Sequence, residues 1–303
     1  MNKSRHAYCI IAHTDYYCLS RLVELVDDER NDIFLLFDKK SSIRKMSLPE
    51  TFNSRIFTLP ESQLIDIQWG GLSQLKAELL VLEFAILKGN YEYFHLLSGQ
   101  DLPIKSQDYI HDYMNHVAAG RNCISCEHGD NVDRIHYHNC GYYHLFVEKI
   151  RSRNIVVRKM CSFLRNSFIS MQKIAGYHRD WTGYTLGKGT NWGSFNQEFV
   201  QYLVNNRRVI VQLFTGVLGP DEIYKQTMIL STGFKDSLMH APEMCNNALR
   251  HIDWNRGLPY VWHKNDYNEL INCNDLFARK FSSEVDRDII DLIYNQLKGN
   301  EKA

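Results

Sequence analysis

Four apolar runs of strand length, two pairs of them separated by helical periodicity, bound what this chain can fold into. Residues 6–13 (HAYCIIAH), 32–37 (DIFLLF), 55–59 and 91–97 are rich in aromatic and aliphatic side chains. Between the first two runs, Thr14-Asp15 can cap a helix over 16–26. Between the last two, Leu72, Leu75, Leu79, Leu82 and Ile86 recur near helical spacing across 71–88, and Gly89-Asn90 ends that helix. The order β-α-β-β-α-β predicts an α/β fold, a mostly parallel sheet covered by helices. With 303 residues the chain can bury roughly 75% of its unfolded surface, so it needs no disulfide or metal staple.

The fourth run leads into the first candidate for chemistry. In YEYFHLLSGQDLPIK (91–105) the apolar alternation stops at Ser98-Gly99, Asp101 follows, and Pro103 cannot sit in the centre of a sheet. Open α/β sheets bind ligands at the carboxyl ends of their strands, which puts Asp101 where a ligand is met. The competing reading is a strand running into a helix capped by Ser106 or Asp108. Asp38 directly follows the second run, a position that often holds a ribose or a base; a surface-turn acid is the plainer reading.

The second half of the chain is read from shorter motifs. GKGTNWGSF (187–195) is a Gly-rich loop leading into a helix over 196–205, with neither a Walker ending nor a dinucleotide pattern. Pro220-Asp221-Glu222 suits a first helical turn. Its functional reading is a carboxylate, Glu222, acting as general base. A late strand is expected over 249–254 and an amphipathic helix over 283–297. The one Asp-x-Asp, Asp286-Arg-Asp288, lies inside that helix and makes a poor metal clamp for a nucleotide diphosphate. Cys123 and Cys126 precede His136, His138 and Cys140, but the spacing fits no common zinc finger; buried or edge-strand thiols without metal are expected. The polar cluster from Glu127 to His136 would equally suit a sugar site.

Charge and cysteine usage narrow the setting. Thirty-five Lys and Arg balance 35 Asp and Glu, so there is no electrostatic case for nucleic acid. The start, MNKSRH, does not read as a signal peptide, no apolar run reaches 18 residues, and the eight cysteines are scattered. Reduced thiols and a cytoplasmic location are expected. Residues 149–179 carry eight Lys and Arg and no acid, with Val156, Met160, Phe163, Leu164, Ile169 and Ile174 near helical spacing. One reading packs that apolar stripe on the core and solvates the basic face. The other lays the helix on an anionic membrane surface, a peripheral contact at its inner face.

Taken in order, IIAHTD (10–15), LLFDKKS (35–41), YFHLLSGQDLPIK (93–105), GTNWGSFNQEFVQYL (189–203), GPDEIYKQT (219–227), LRHIDW (249–254) and DLFARKF (275–281) resemble the core-2/I-branching glycosyltransferases. That family also includes the peptide O-xylosyltransferases. The resemblance implies a GT-A-like, Rossmann-related, mostly parallel sheet flanked by helices, with a C-terminal helical extension. It implies one transferase domain over 1–303, with a nucleotide-binding half at about 1–115 and an acceptor- and base-bearing half at about 116–303.

The implied activity is an inverting transfer from a UDP-sugar, UDP-GlcNAc first and UDP-xylose second, with no cofactor and no metal. Metal independence agrees with the missing upstream Asp-x-Asp. By motif, His13 and Asp38 should lie at the uridine, Trp69 beside the base, and Asp101 facing the donor sugar. Arg250 and Lys280 should hold the diphosphate, Trp192 should lie by the acceptor, and Glu222 should be the base. Animal branching enzymes are lumenal, anchored and disulfide-bonded, features not expected here. Their glycoprotein acceptors therefore do not transfer, and the expected acceptor is a glycan, lipid-linked, in surface-polysaccharide assembly. The alternative is a non-catalytic carbohydrate-binding protein on the same fold, against which Glu222, Arg250 and Lys280 together argue.

Overall fold

A computed structural model describes residues 4–127 and 138–300. Its main sheet has six strands in the order β3-β2-β1-β4-β7-β6. The four apolar runs supply β1 (His6–Ala12), β2 (Asn31–Phe37), β3 (Arg55–Thr58) and β4 (Tyr93–Ser98), all parallel. Every residue of β1, β2 and β4 is buried, as continuous apolar strands covered on both faces must be. Two of the covering helices are α1 (Tyr16–Leu25) and α2 (Leu72–Ile86). Asp15 caps α1 by accepting the Cys18 N–H at 3.0 Å. Its carboxylate also takes the Ser283 N–H and hydroxyl, each at 2.7 Å, which ties the first helix to the C-terminal region.

Past Ser98 the chain leaves the main sheet. β5 (Asp101–Pro103) is the edge of a second sheet, in the order β5-β9-β8. Pro103 is tolerated there because an edge strand can spare an N–H. Ser106 caps the short helix α3 (Gln107–Asp112) that follows.

The second half departs from its reading in three places. GSFN is not the end of a loop: it forms β7 (Gly193–Asn196), antiparallel to β4 and to the two-residue β6 (Cys123–Ile124). Glycine and serine hid this strand, because its burial comes from the neighbours it pairs with rather than from its own apolarity. Similarly, β8 (Arg250–Ile252) pairs in parallel with β9 (Phe277–Arg279), so the basic-aromatic motif is a strand. Thirdly, α4 (Ile155–Ile174) buries Ile169 but leaves most of its apolar stripe outside, contrary to the packed reading: Val156 and Phe163 are each 70% exposed and Ile174 is 88% exposed.

Five further α-helices follow among the described residues, the first four being α5 (Gln197–Asn205), α6 (Arg207–Phe214), α7 (Tyr224–Leu230) and α8 (Tyr267–Asn272). The last is α9 (Arg287–Asn300), which packs against α1.

Between Gly187 and Gly193 the backbone runs hard against the 123–127 segment. A Cβ on Gly189 would lie 1.8 Å from the Ser125 carbonyl oxygen, so only glycine fits without moving backbone. Gly189→Ala should therefore cost about 1–3 kcal/mol, the usual range for overpacking, and lower the urea midpoint. An unchanged midpoint would show that the loop does not press on Ser125.

Candidate active site

Two groups of functional side chains form, one at the carboxyl ends of the parallel strands and one around the Pro220-Asp221-Glu222 turn. In the first, His13 directly follows β1 and Asp38 directly follows β2. The Asp38 N–H donates to Ala12 O at 2.9 Å, and the Ser41 hydroxyl donates to His13 O at 2.7 Å, so the two strand ends are locked together. The buried Asp38 carboxylate accepts the Lys40 N–H at 3.0 Å and pairs with the Lys40 ammonium at 3.3 Å. His13 is held below the ordinary histidine value, first by burial, then by Lys280, with Asp38 opposing.

Asp101 belongs to the same group. It is fully enclosed: one oxygen accepts the Ser98 N–H at 2.8 Å and the other accepts the Arg279 guanidinium at 2.6 Å. Strand register produces this, since Asp101 on β5 lies opposite Arg279 on β9. Arg279 also sits 4.9 Å from the ring centroid of Trp192, within cation–π range. Beside it Lys280 is half-buried, and its ammonium is held below the ordinary lysine value by burial and by Arg279, with Asp101 and Asp15 opposing. Arg279 and Lys280 thus form a cationic corner next to His13 and Asp38.

Arg250 does not join that corner, contrary to its expected role on a diphosphate. Its side chain is fully buried, with its donors aimed at protein acceptors: Ser194 Oγ at 2.8 Å, Gly193 O at 2.8 Å, Leu96 O at 3.4 Å, and Ala248 O. Burial pushes its pKa down to about 10, with Asp101 opposing. Here Arg250 is a positioning residue that fastens β4 to β7 behind Asp101. The cation that shares this corner and that the sequence reading missed is Arg279, one residue before Lys280. Strand alternation was the available signal, since Phe277 and Arg279 share one face of β9.

The second group is built on a left-handed glycine. Gly219, at φ +65°, turns the chain into the single 3₁₀ turn Pro220–Glu222. The Glu222 carbonyl accepts the Gly189 N–H at 3.0 Å, and the Glu222 carboxylate lies 3.9 Å from the Lys188 ammonium. Burial raises the Glu222 carboxyl above the ordinary carboxylate value, while Lys188 and Lys225 pull the other way.

Beneath the turn lies an ion pair with no solvent exposure on either side chain, Lys225 to Glu78. The Lys225 ammonium also donates to Asn191 Oδ1 at 2.8 Å and Asp221 O at 2.9 Å. Glu78 further accepts Tyr224 Oη at 3.0 Å and Gln74 Nε2 at 3.0 Å. Asp221 is pushed up to about 8 by burial and then by Glu78. Glu78 was legible as a carboxylate between Leu75, Leu79 and Leu82 on the buried side of α2.

Trp69 lies in the segment that joins the two groups. Lys39 N–H donates to Ile65 O at 2.9 Å at one end, and Gly219 N–H donates to Gly70 O at 3.1 Å at the other. The indole is exposed to solvent apart from the Arg151 guanidinium, 3.3 Å from its centroid. From the opposite side, Trp192 also bridges the groups, being stacked under Arg279 and carried on the loop that binds Glu222.

Among the described residues, one set could hold a metal: Cys245, His251 and Asp275, with ligand atoms within 4.8 Å of one another. His251 points away from Arg250 on β8, so this set is on the back of the second sheet. Cys123 is buried and Cys126 half-buried, and neither belongs to it. His136 and most of the polar cluster around it lie outside the described residues.

A mostly parallel sheet of this order, flanked by helices and with polar groups gathered at its strand ends, is a GT-A-like glycosyltransferase fold. A family model described as Core-2/I-Branching enzyme matches residues 6–280, and the chain belongs to that family. Curated relatives include xylosyltransferase 2 of Canis lupus familiaris, 21% identical over 98% of this chain and 34% of the relative. Xylosyltransferase 1 of Mus musculus and of Homo sapiens are each 24% identical over 78% of this chain and 24% of the relative. The chain spans about a third or less of the length of these relatives.

The buried pair generates a double-mutant test. Lys225→Ala leaves Glu78 charged and enclosed without its partner, and should cost about 3–5 kcal/mol in urea unfolding. Glu78→Gln combined with Lys225→Met should recover most of that loss. If the double variant is no more stable than Lys225→Ala alone, the pair is not the cause.

Proposed function

We propose that this chain is an inverting glycosyltransferase that moves a sugar from a UDP-sugar to a hydroxyl of a glycan acceptor, with Glu222 as general base. The observation that carries the reading is Glu222 itself: a partly exposed carboxylate of raised pKa, fixed by a buried ion pair and connected through Trp192 to a cationic corner. A sugar hydroxyl is a weak nucleophile near pH 7. The Glu222 carboxylate takes its proton as the oxygen attacks the anomeric carbon. The bond from that carbon to the diphosphate oxygen breaks, and the departing UDP gathers negative charge, which Arg279 and Lys280 stabilise. Attack from the face opposite the leaving group turns an α-linked donor into a β-glycoside.

The other roles follow from position. His13 and Asp38 receive the uridine, Trp69 lies beside the base, and Asp101, enclosed and with both oxygens bonded, orients Arg279 rather than meeting the donor sugar as expected. Trp192 takes the acceptor. We assign the phosphate charge to protein cations and no divalent metal to the reaction. GlcNAc is the donor sugar proposed first. UDP-xylose is the second reading, and the names of the relatives favour it. The acceptor is proposed to be a lipid-linked glycan in surface-polysaccharide assembly at the cytoplasmic face of a membrane.

Glu222→Gln should lower turnover by roughly 10²–10⁴-fold while UDP binding, read by calorimetry, persists. Near-normal turnover would remove Glu222 as base, and absence of UDP-sugar hydrolysis or transfer with every donor tested would favour the non-catalytic carbohydrate-binding alternative. The pH profile gives a second readout. Because Glu222 acts ionised and its pKa is raised, activity should fall as pH drops through a value above the ordinary carboxylate range. Lys188→Ala removes a cation that favours the ionised form and should move that acid limb to higher pH. Turnover should survive EDTA; loss restored by Mn²⁺ would contradict the assignment of phosphate charge to Arg279 and Lys280.

A further inference from the structure

The α4 helix presents its apolar side to solvent. Asn154 caps it, accepting the Val156 and Val157 N–H groups at 3.0 and 3.2 Å. Its inward side is narrow: Cys161, Ile169 and Gln172 are buried, and Gln172 exchanges two 2.9 Å hydrogen bonds with the Tyr143 backbone. Opposite that side, at helical spacing, stand Val156, Met160, Phe163, Met171 and Ile174, all exposed and interrupted by Ser167. Among the described residues, the exposed large apolar side chains of residues 143–177 outnumber those of the rest of the chain together. A contiguous exposed apolar face of this kind marks an interaction surface.

Charge identifies what the surface meets. Residues 149–179 hold eight cations and no acid in a chain of zero net charge. Lys159 is exposed along one flank of the apolar stripe, where its stem can lie on it and its ammonium reach outward, and Lys173 stands further round on the same flank with its ammonium 5.5 Å from the Tyr142 ring centroid. No helix among the described residues is long and apolar enough to cross a membrane. An apolar strip with cations at its margin matches a helix lying in the plane of an anionic bilayer, apolar side down.

We propose that α4 docks this protein on an anionic lipid bilayer, burying Val156, Met160, Phe163, Met171 and Ile174 among the acyl chains. The helix is fastened near the candidate site. Arg151 lies on Trp69, and Glu148 accepts the Ser73 N–H and hydroxyl at 3.0 and 2.6 Å at the start of α2. Docking therefore holds the Trp69 and Glu222 segments beside the headgroups, where a lipid-linked acceptor would be presented; that last consequence rests on the transferase reading, whereas docking does not.

The test is co-sedimentation of the whole chain with vesicles of phosphatidylcholine, with and without phosphatidylglycerol, at low and high salt. Binding should require phosphatidylglycerol and weaken at high salt. Replacing Lys159 and Lys173 by Ala should weaken it by about 10- to 30-fold. Phe163→Asp with Ile174→Asp should abolish it, and both sets lie on the surface, so circular dichroism and UDP-sugar hydrolysis should be unchanged. No binding to phosphatidylglycerol vesicles at low salt would overturn the proposal. So would sedimentation equilibrium showing a dimer that Phe163→Asp with Ile174→Asp dissociates, since the face would then meet a second copy. Glu222→Gln should bind vesicles normally, which keeps failure of docking distinct from failure of the catalytic reading.

Discussion

The arrangement around Glu222 depends on the buried ion pair between Lys225 and Glu78. A lysine ammonium has three donors, and here all three are used: on Glu78, on Asn191 and on the Asp221 carbonyl. Those partners come from α2, from the loop that carries Trp192, and from the Pro220–Glu222 turn. One charge thus sets the relative position of three segments that are far apart in the chain. Such a pair contributes little net stability over a well-packed apolar substitute, because desolvation offsets most of the attraction. What it supplies is geometry, since any displacement of the turn leaves a charge enclosed without a partner. Asp221 shows the same constraint from the other side. Burial and then the neighbouring Glu78 disfavour a second anion in that enclosed volume and push the Asp221 carboxyl well above the ordinary carboxylate range.

The two arginines of the small sheet divide structure from chemistry. Arg250 and Arg279 lie on neighbouring strands, and both are near Asp101. Arg250 reaches inward and spends its donors on the backbone at the β4–β7 junction, so the end of β4 cannot shift and Asp101 is held in place. Arg279 reaches outward, bonded on one side to Asp101 and resting on Trp192. A carboxylate bonded to a guanidinium at 2.6 Å fixes both the direction and the charge of that cation. The cationic corner is therefore backed by a rigid sheet edge rather than by a mobile loop.

Legibility followed how local each signal was. The four apolar runs became the parallel strands because burial on both faces requires an unbroken apolar composition, which short windows reveal. Asp15 and Ser106 were equally readable as caps, since capping depends on a few adjacent atoms. GSFN was read as a loop, because a four-residue strand of small side chains has no pattern of its own and exists only through pairing with β4 and β6. The basic-aromatic motif was noticed, yet Lys280 was chosen without Arg279, because which of two adjacent cations faces Asp101 is a matter of strand register.

By itself the sequence determined the parallel α/β core and, through short motifs of residues close together in the chain, the family. The roles of His13, Asp38, Asp101, Trp192 and Glu222 are what that resemblance implies. Only the tertiary structure decided that Arg250 is enclosed while Arg279 is presented, and that Glu78 and Lys225 support the Glu222 turn. It likewise decided that α4 turns its apolar face outward. Amphipathic spacing shows that a helix has two unlike faces, but which face meets the protein depends on what the rest of the chain places beside it. In α4 the side chains that reach the protein are Cys161, Ile169 and Gln172, anchored by hydrogen bonds to Tyr143, and the stronger apolar stripe is left for something else to cover.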